Sequence, residues 1–180
     1  MPNTLSNTLE ACVRGLERMV LPAIDPGNPL ALEQAALIAR TIRFTIERLP
    51  HIVARSRQEM RLYQEMAQAL LPHMEAVAAA DLPAMKELVA RAEALWADPH
   101  ATLEQLDHCA GAFASAIAAL VRQCRDDPSA DARAIERLVL RHSTSINHLN
   151  RAWHVLWGFE PRPEDIRPLA SFFPPPGTHP

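Results

Sequence analysis

The chain has 180 residues, of which 48% are hydrophobic and 22% charged, and its formal net charge at pH 7 is -3. This length fits one domain with a substantial core, and the apolar fraction excludes a disordered chain. The net negative charge gives no general attraction to nucleic acid or to an anionic membrane, so we expect neither as a partner.

Cysteine usage and hydropathy bear on the compartment. The three cysteines form no CxxC pair and leave one over, which indicates reduced thiols and a cytoplasmic protein. The amino terminus lacks a basic start followed by an apolar run, so no signal peptide is predicted. The uncharged stretch 108–121 is shorter than the roughly 20 residues that cross a bilayer and is interpreted as a core helix.

Apolar residues recur at intervals of three and four, and the chain has only five glycines, which predicts an all-α fold. The first helix begins near Leu5 and extends to Val20, where the turn-rich segment LPAIDPGNP follows. The second extends from about Leu30 to Leu49. The apolar stripes on the two sides of Pro50 point in nearly opposite directions, so we predict a tight corner there.

The stripe continues across Pro72, which predicts a kinked or briefly interrupted helix to about residue 80. Asp81 is the predicted start of the next helix, and Thr102 with Gln105 forms a capping-box pattern that opens the one after it. The last helix is predicted from Asp127 or Ser129 to about residues 157–158. Small residues on several sides of 109–121 predict close packing there.

Together these segments predict a single-domain antiparallel bundle of about six helices over residues 1–158. Residues 159–180 form a proline-rich tail, which we expect to dock on the bundle or on a sister subunit. Its aromatic pair Phe172–Phe173 precedes a run of three prolines. Trp157 and Phe159 mark where docking would begin.

Common catalytic motifs are absent from the sequence. No histidine follows a Glu or Asp by three residues, and no His-x-x-x-His pair occurs, so no metal site is predicted. Glu104 and His108 are four apart, but they lie off the main stripe and are interpreted as exposed. Neither a nucleophile motif nor a phosphate-binding glycine loop is present, and no cofactor is predicted.

The informative positions are polar residues on apolar stripes. Arg43 and Glu59 lie at about equal distances from Pro50, which predicts an ion pair between them. His142 lies within the stripe of the last helix, where a histidine either satisfies its hydrogen bonds in the core or works in a site. If these side chains meet, they form a polar pocket within the bundle. Its candidate residues are His142, Tyr63, Glu59, Arg43, Ser56 and Trp153.

Other polar residues of the last helix lie off this stripe. Asn147, His148 and His154 are expected to face water or a partner, with Asn150 at the border. The arginines on its outer side form a solvated face in the simpler interpretation and a phosphate-binding face in the alternative.

Three functional interpretations remain open. The first is a non-catalytic protein that acts through protein–protein contact or self-association, as a homodimer formed by helix 109–121 or by the tail. The second is a sensor or accessory bundle that binds a small organic ligand around His142. The third is a cofactor-independent enzyme that uses His142 as a general acid or base, oriented by Glu59 or Tyr63.

Overall fold

The structure is a computed structural model that describes residues 4–173. The all-α prediction is confirmed, because the described residues form six α-helices and no strand. The helices are α1 (Leu5–Gly15), α2 (Pro29–Arg48), α3 (Ile52–Val77), α4 (Leu82–Ala97), α5 (Leu103–Cys124) and α6 (Ala130–His154).

Side chains that accept hydrogen bonds from the first turn fix most helix starts. The capping box of α5 is confirmed, since the Thr102 hydroxyl accepts from the Gln105 N–H and the Gln105 side chain accepts from the Thr102 N–H. Ser129 caps α6 as predicted. The helix start predicted at Asp81 is confirmed, but the Asp81 side chain makes no capping hydrogen bond. Helix α4 does begin at Leu82, but the Asp81 carboxylate accepts from Gln123 Nε2 at 2.8 Å instead of from its own helix.

The two interior prolines lie in different local structures, and the tight corner predicted at Pro50 stays a prediction. At Pro50 the helix is interrupted by the 3-10 turn Leu49–His51, after which α3 begins. Pro72 lies inside α3, which continues to Val77, because a single missing N–H removes one intrahelical bond without reversing the buried side.

Backbone contacts divide the chain into two units, Met1–Ile52 and Val53–Pro180. This division does not test whether residues 1–158 form a single domain, which stays a prediction. In the first unit, α1 continues through the π-helical turn Leu16–Val20 and the 3-10 turn Leu21–Ala23, and α2 packs against α1. Asn28 caps α2, and Pro29 occupies its first turn, where no N–H is required.

The second unit has the larger core. Short connections at 78–81, 98–102 and 125–129 join its four helices, and α4 packs on α5 and α5 on α6. Large side chains fill the space between these helices because apolar surface removed from water is the main stabilising contribution. The most completely buried of them are Met60, Met66, Leu70, Met74, Leu106, Phe113, Leu120, Ile135 and Leu149.

Polar contacts connect the helices of this unit at their ends. The Arg57 guanidinium of α3 donates to the carbonyl oxygens of Leu95, Trp96 and Asp98, the last at 2.6 Å. These carbonyls lie where α4 ends and would otherwise lack intrahelical donors, so a cation is favourable there. His73 Nδ1 lies 2.7 Å from Asp131 Oδ1, which joins α3 to the first turn of α6.

After α6 the chain turns back. The 3-10 turn Val155–Trp157 ends at Gly158, whose φ of 76° lies in the left-handed region that favours glycine. Farther on, the 3-10 turn Leu169–Phe172 lies against α6. The predicted proline run begins at residue 174 and lies outside the described residues. Within the described range no helix has the length and apolar character needed to cross a membrane.

Candidate functional site

Helix α6 carries a polar stripe on its exposed side. Its members recur at intervals of three and four residues, so they lie above one another on one side of the helix. This stripe consists of Thr144, Asn147, His148, Arg151 and His154. All five are exposed, on the side away from the buried Ile135, Ile146 and Leu149. The stripe therefore makes no contribution to the core.

The segment that follows α6 forms a wall along this stripe. After the turn at Gly158 the chain runs back, and the Glu160 carboxylate accepts two hydrogen bonds from Arg151. Arg151 Nε lies 3.0 Å from Glu160 Oε2, and Arg151 Nη2 lies 2.7 Å from Glu160 Oε1. This bidentate geometry is the strongest form of carboxylate pairing, so it holds the returning segment to the helix.

Between stripe and wall lies an open groove of about 980 Å³. A volume in the range of roughly 300–1,000 Å³ is typical of sites for small organic molecules. Its lining combines the polar stripe and Asn150 with Val155, Trp157, Phe159 and Glu160. Phe159 is 83% exposed, so an aromatic ring stands at the groove with most of its surface in water. We call this feature the α6 groove.

The charges at the wall neutralise one another. The Arg151 hydrogen bonds lower the pKa of Glu160 from its ordinary value, and the carboxylate raises the pKa of Arg151 in return. Both groups are therefore ionised at neutral pH, and the pair adds no net charge to the α6 groove. The remaining polar lining consists of amides, imidazoles and one hydroxyl, and the Thr144 hydroxyl donates to the Leu140 carbonyl.

Asn150 connects the α6 groove to a second polar cluster. Its Oδ1 accepts a hydrogen bond from Arg55 Nη2 at 3.0 Å, and the same guanidinium atom lies 3.1 Å from Glu59 Oε2. The guanidinium carbon also lies 5.1 Å from the centre of the Trp153 ring, within the range of a cation–π contact. We call Arg55, Glu59, Asn150 and Trp153 the Arg55 cluster. With its oxygen taken by Arg55, Asn150 has its amide N–H groups left for a ligand.

Tyr63 and Ser56 extend along the same helix as Glu59. Burial raises the pKa of Tyr63, and the nearby Glu59 carboxylate raises it further. Ser56 is only 3% exposed and lies one residue after Arg55. Of the predicted pocket residues, the structure thus places Glu59, Tyr63 and Ser56 on α3 and brings Glu59 and Trp153 together through Arg55.

The other predicted members lie elsewhere. The predicted Arg43–Glu59 ion pair is wrong, because Arg43 pairs with Glu17 at 2.7 Å and Glu59 pairs with Arg55. Arg43 is also not inward, since its side chain is 53% exposed. His142 is half-buried on α6 and does not line the α6 groove, which begins at Thr144. Its role as a site residue stays a prediction.

A smaller groove of about 340 Å³ lies between α3 and α4. It is lined by Arg61, Gln64, Glu65, Gln68, Glu93 and Trp96. Arg61 stacks 4.7 Å from the Trp96 ring centre and pairs with Glu65, while Gln68 donates to Glu93. Because these polar groups already bond with one another, this groove offers a ligand fewer open partners than the α6 groove.

Metal ligands do not converge in the part of the chain that the structure describes, where no group of three or more His, Cys, Asp or Glu side chains could hold an ion. Glu104 and His108 are both exposed on α5, as expected from their position off the stripe.

The fold and the α6 groove define an all-α protein with an open polar and aromatic groove beside its last helix. Searches against family models, curated proteins and solved structures found no match for this chain.

Sequence reasoning located some of this site and missed the rest. Asn147, His148 and His154 were expected to face water or a partner, and the signal was their position off the apolar stripe of the last helix. Arg55 was missed, although its spacing of four from Glu59 is a recognisable ion-pair pattern. Glu160 was also missed, because only the turn at Gly158 brings it next to Arg151.

Proposed function

We propose that this protein is a non-catalytic binding protein that takes a small organic ligand into the α6 groove. The observation that carries the proposal is the α6 groove itself, in which a polar helix stripe faces the aromatic residues Trp157 and Phe159. An apolar surface that supplies contact area, together with a few directed polar groups, is the usual composition of a ligand site.

The lining favours a particular ligand chemistry. Asn147 and Asn150 contribute amide N–H donors, and the Arg151 charge is already balanced by Glu160. A carboxylate or carbonyl oxygen on the ligand would accept these donors, while a planar apolar group would pack on Trp157 or Phe159. The proposed ligand class is therefore an aromatic or alicyclic carboxylic acid, or its amide.

The proposal includes a cytoplasmic location. The three unpaired cysteines support it, because disulfides are rare where thiols are kept reduced. It also differs from the sequence-based pocket, because none of the six candidate residues of that pocket lines the α6 groove and His142 is not required for binding. The α6 groove lies on the same helix but begins after that residue.

The test uses 1-naphthoate and its uncharged analogue 1-naphthamide as probes, with chemical shifts measured in 1H–15N NMR spectra of the full chain. We expect both probes to shift backbone resonances within 144–160. In Asn147→Asp, a negative charge enters the α6 groove, so naphthoate binding should weaken about tenfold or more while naphthamide binding changes less.

Ser115→Asp is the matched control, since it adds the same charge at an exposed position of α5. It should leave both affinities unchanged. Shifts that map outside 144–160, or equal effects of the two substitutions on naphthoate, would contradict ligand binding at this groove.

A further inference from the structure

The outer side of α2 is uncharged over most of its length. Its residues recur with helical spacing on the side opposite the buried Ala35 and Ala39. They are Leu30, Gln34, Leu37, Ile38, Thr41 and Thr45. The three large apolar side chains among them are 65%, 45% and 51% exposed for Leu30, Leu37 and Ile38. We call these six residues the α2 face.

The two threonines make this face less polar than its sequence implies. The Thr41 hydroxyl donates to the Leu37 carbonyl and the Thr45 hydroxyl donates to the Thr41 carbonyl, each at 2.9 Å. Because both hydroxyl donors are used inside the helix, the α2 face can lose water without leaving those donors unsatisfied.

A helix that is apolar on two sides requires a surface on each side. The inner side of α2 packs on α1, where Val13, Ala35 and Ala39 are the buried apolar residues in the described part of the unit. The charged residues Glu33, Arg40, Arg43 and Glu47 all lie on one flank between the two apolar sides. Such a pattern is typical of a helix that is covered on both sides, and burying so few apolar residues gives this unit little stability of its own.

We propose that the α2 face packs against the same face of a second copy of this chain, with the two α2 helices antiparallel. The uncharged stretch 34–39 between Glu33 and Arg40 has its midpoint between Ala36 and Leu37, so a two-fold axis there would place Leu37 and Ile38 of both copies at the centre of the interface. A two-fold interface presents one patch to itself, and a neutral, apolar centre brings no like charges together.

Charge complementarity on the flank identifies the occupant as a second copy. In an antiparallel pair related by this axis, equivalent flanks meet, and Glu33 lies opposite the partner subunit's Arg40. Symmetry repeats the contact, which gives two ion pairs at the edge of an apolar centre. Among the described residues, neither Glu33 nor Arg40 forms an ion pair within the chain.

The first test measures the mass of the full chain in solution by light scattering after size exclusion, at high micromolar concentration. We expect twice the chain mass. Leu37→Glu places a charge at the centre of the interface and should raise the dissociation constant at least about 100-fold. Leu140→Glu is the matched control, because Leu140 is 73% exposed on α6, and it should stay dimeric. A monomeric native chain, or a dimer unaffected by Leu37→Glu, would overturn the proposal.

A charge exchange tests the antiparallel arrangement separately. Glu33→Arg and Arg40→Glu should each weaken the homodimer about tenfold or more, because both ion pairs become repulsive contacts. An equal mixture of the two variants should form a heterodimer in which both contacts are again attractive, visible by native mass spectrometry as a species of intermediate mass. Provided that both variants fold normally by circular dichroism, absence of a preference for the mixed dimer would refute the antiparallel arrangement.

Discussion

Replacing Arg55 by alanine should destabilise the second unit more than the same replacement at Arg61. The two arginines lie on one helix, and each pairs with a glutamate four residues on and stacks on a tryptophan ring. They differ in burial and in one bond. The Arg55–Glu59 side chains are 22% and 19% exposed, those of Arg61–Glu65 are 39% and 47% exposed, and only Arg55 also bonds Asn150.

The expected magnitude follows from these contacts. An exposed pair such as Arg61–Glu65 contributes about 0.5 kcal/mol, and its cation–π contact adds a similar amount, so Arg61→Ala should cost about 1 kcal/mol. At Arg55 the hydrogen bond to Asn150 adds about 1.5 kcal/mol, and partial burial strengthens the other two contacts. Arg55 Nε is buried without a hydrogen-bond partner, so removing it relieves an unfavourable contribution to the folding free energy of about 1 kcal/mol. A net loss of about 2 to 3 kcal/mol is expected for Arg55→Ala.

Thermal unfolding followed by tryptophan fluorescence measures this difference, because Trp96, Trp153 and Trp157 all lie in the second unit. For a chain of this size, each kcal/mol lowers Tm by roughly 2–4 °C. Equal losses for the two alanine variants would refute the reasoning. An Arg55→Met variant as stable as the native chain would show that apolar packing replaces the cluster without loss, as happens for some buried ion pairs.

Three further outcomes follow from the same structure. Only the exposed Cys12 should react rapidly with a thiol reagent, because burial protects both cysteines of α5 and raises their pKa; mass spectrometry before and after denaturation counts the modified thiols. The carboxyl of Glu160 should titrate below the ordinary range of glutamate in 13C NMR, because its contact with Arg151 lowers its pKa. The stability that this contact contributes is complete above the ordinary pKa of glutamate and is lost as the pH falls through the lowered pKa. The titration should move up in Arg151→Gln, and no movement would contradict this account. His142→Ala should leave 1-naphthoate affinity unchanged by NMR titration, since His142 does not line the α6 groove; a loss of affinity in a folded variant would return that residue to the site.

The helical positions could be predicted from the sequence because they depend on local signals. The capping box at Thr102, the cap at Ser129 and the continuity of α3 across Pro72 each involve residues within one or two turns of one another. Asp81 shows the limit of such signals, since its carboxylate is used by Gln123 of another helix. Asp81 also has a φ of -91° and a ψ of -12°, in the helical region and not in the extended region that a capping residue usually adopts.

The ion pairs were harder to predict because they depend on which residues the fold brings together. Arg43 was assigned to the inner side of α2 and matched with Glu59 across Pro50, but its long side chain reaches Glu17. An arginine near the edge of an apolar stripe is able to extend its charged end to solvent, so its position on the helix does not decide its partner. By contrast, Arg55–Glu59 is a pair within one helix and is visible in the sequence by spacing alone.

The α6 groove combines both kinds of information, and this explains why sequence reasoning found only half of it. The helical half is a periodic stripe and needs no knowledge of the fold. The other half depends on Gly158, because the left-handed conformation there reverses the chain and brings Glu160 within reach of Arg151. All lining residues nevertheless lie between 144 and 160, so the geometry of the site is determined mainly by one helix, one turn and one ion pair. A ligand bound there is expected to stabilise the end of α6 and the turn that follows it more than the remaining helices.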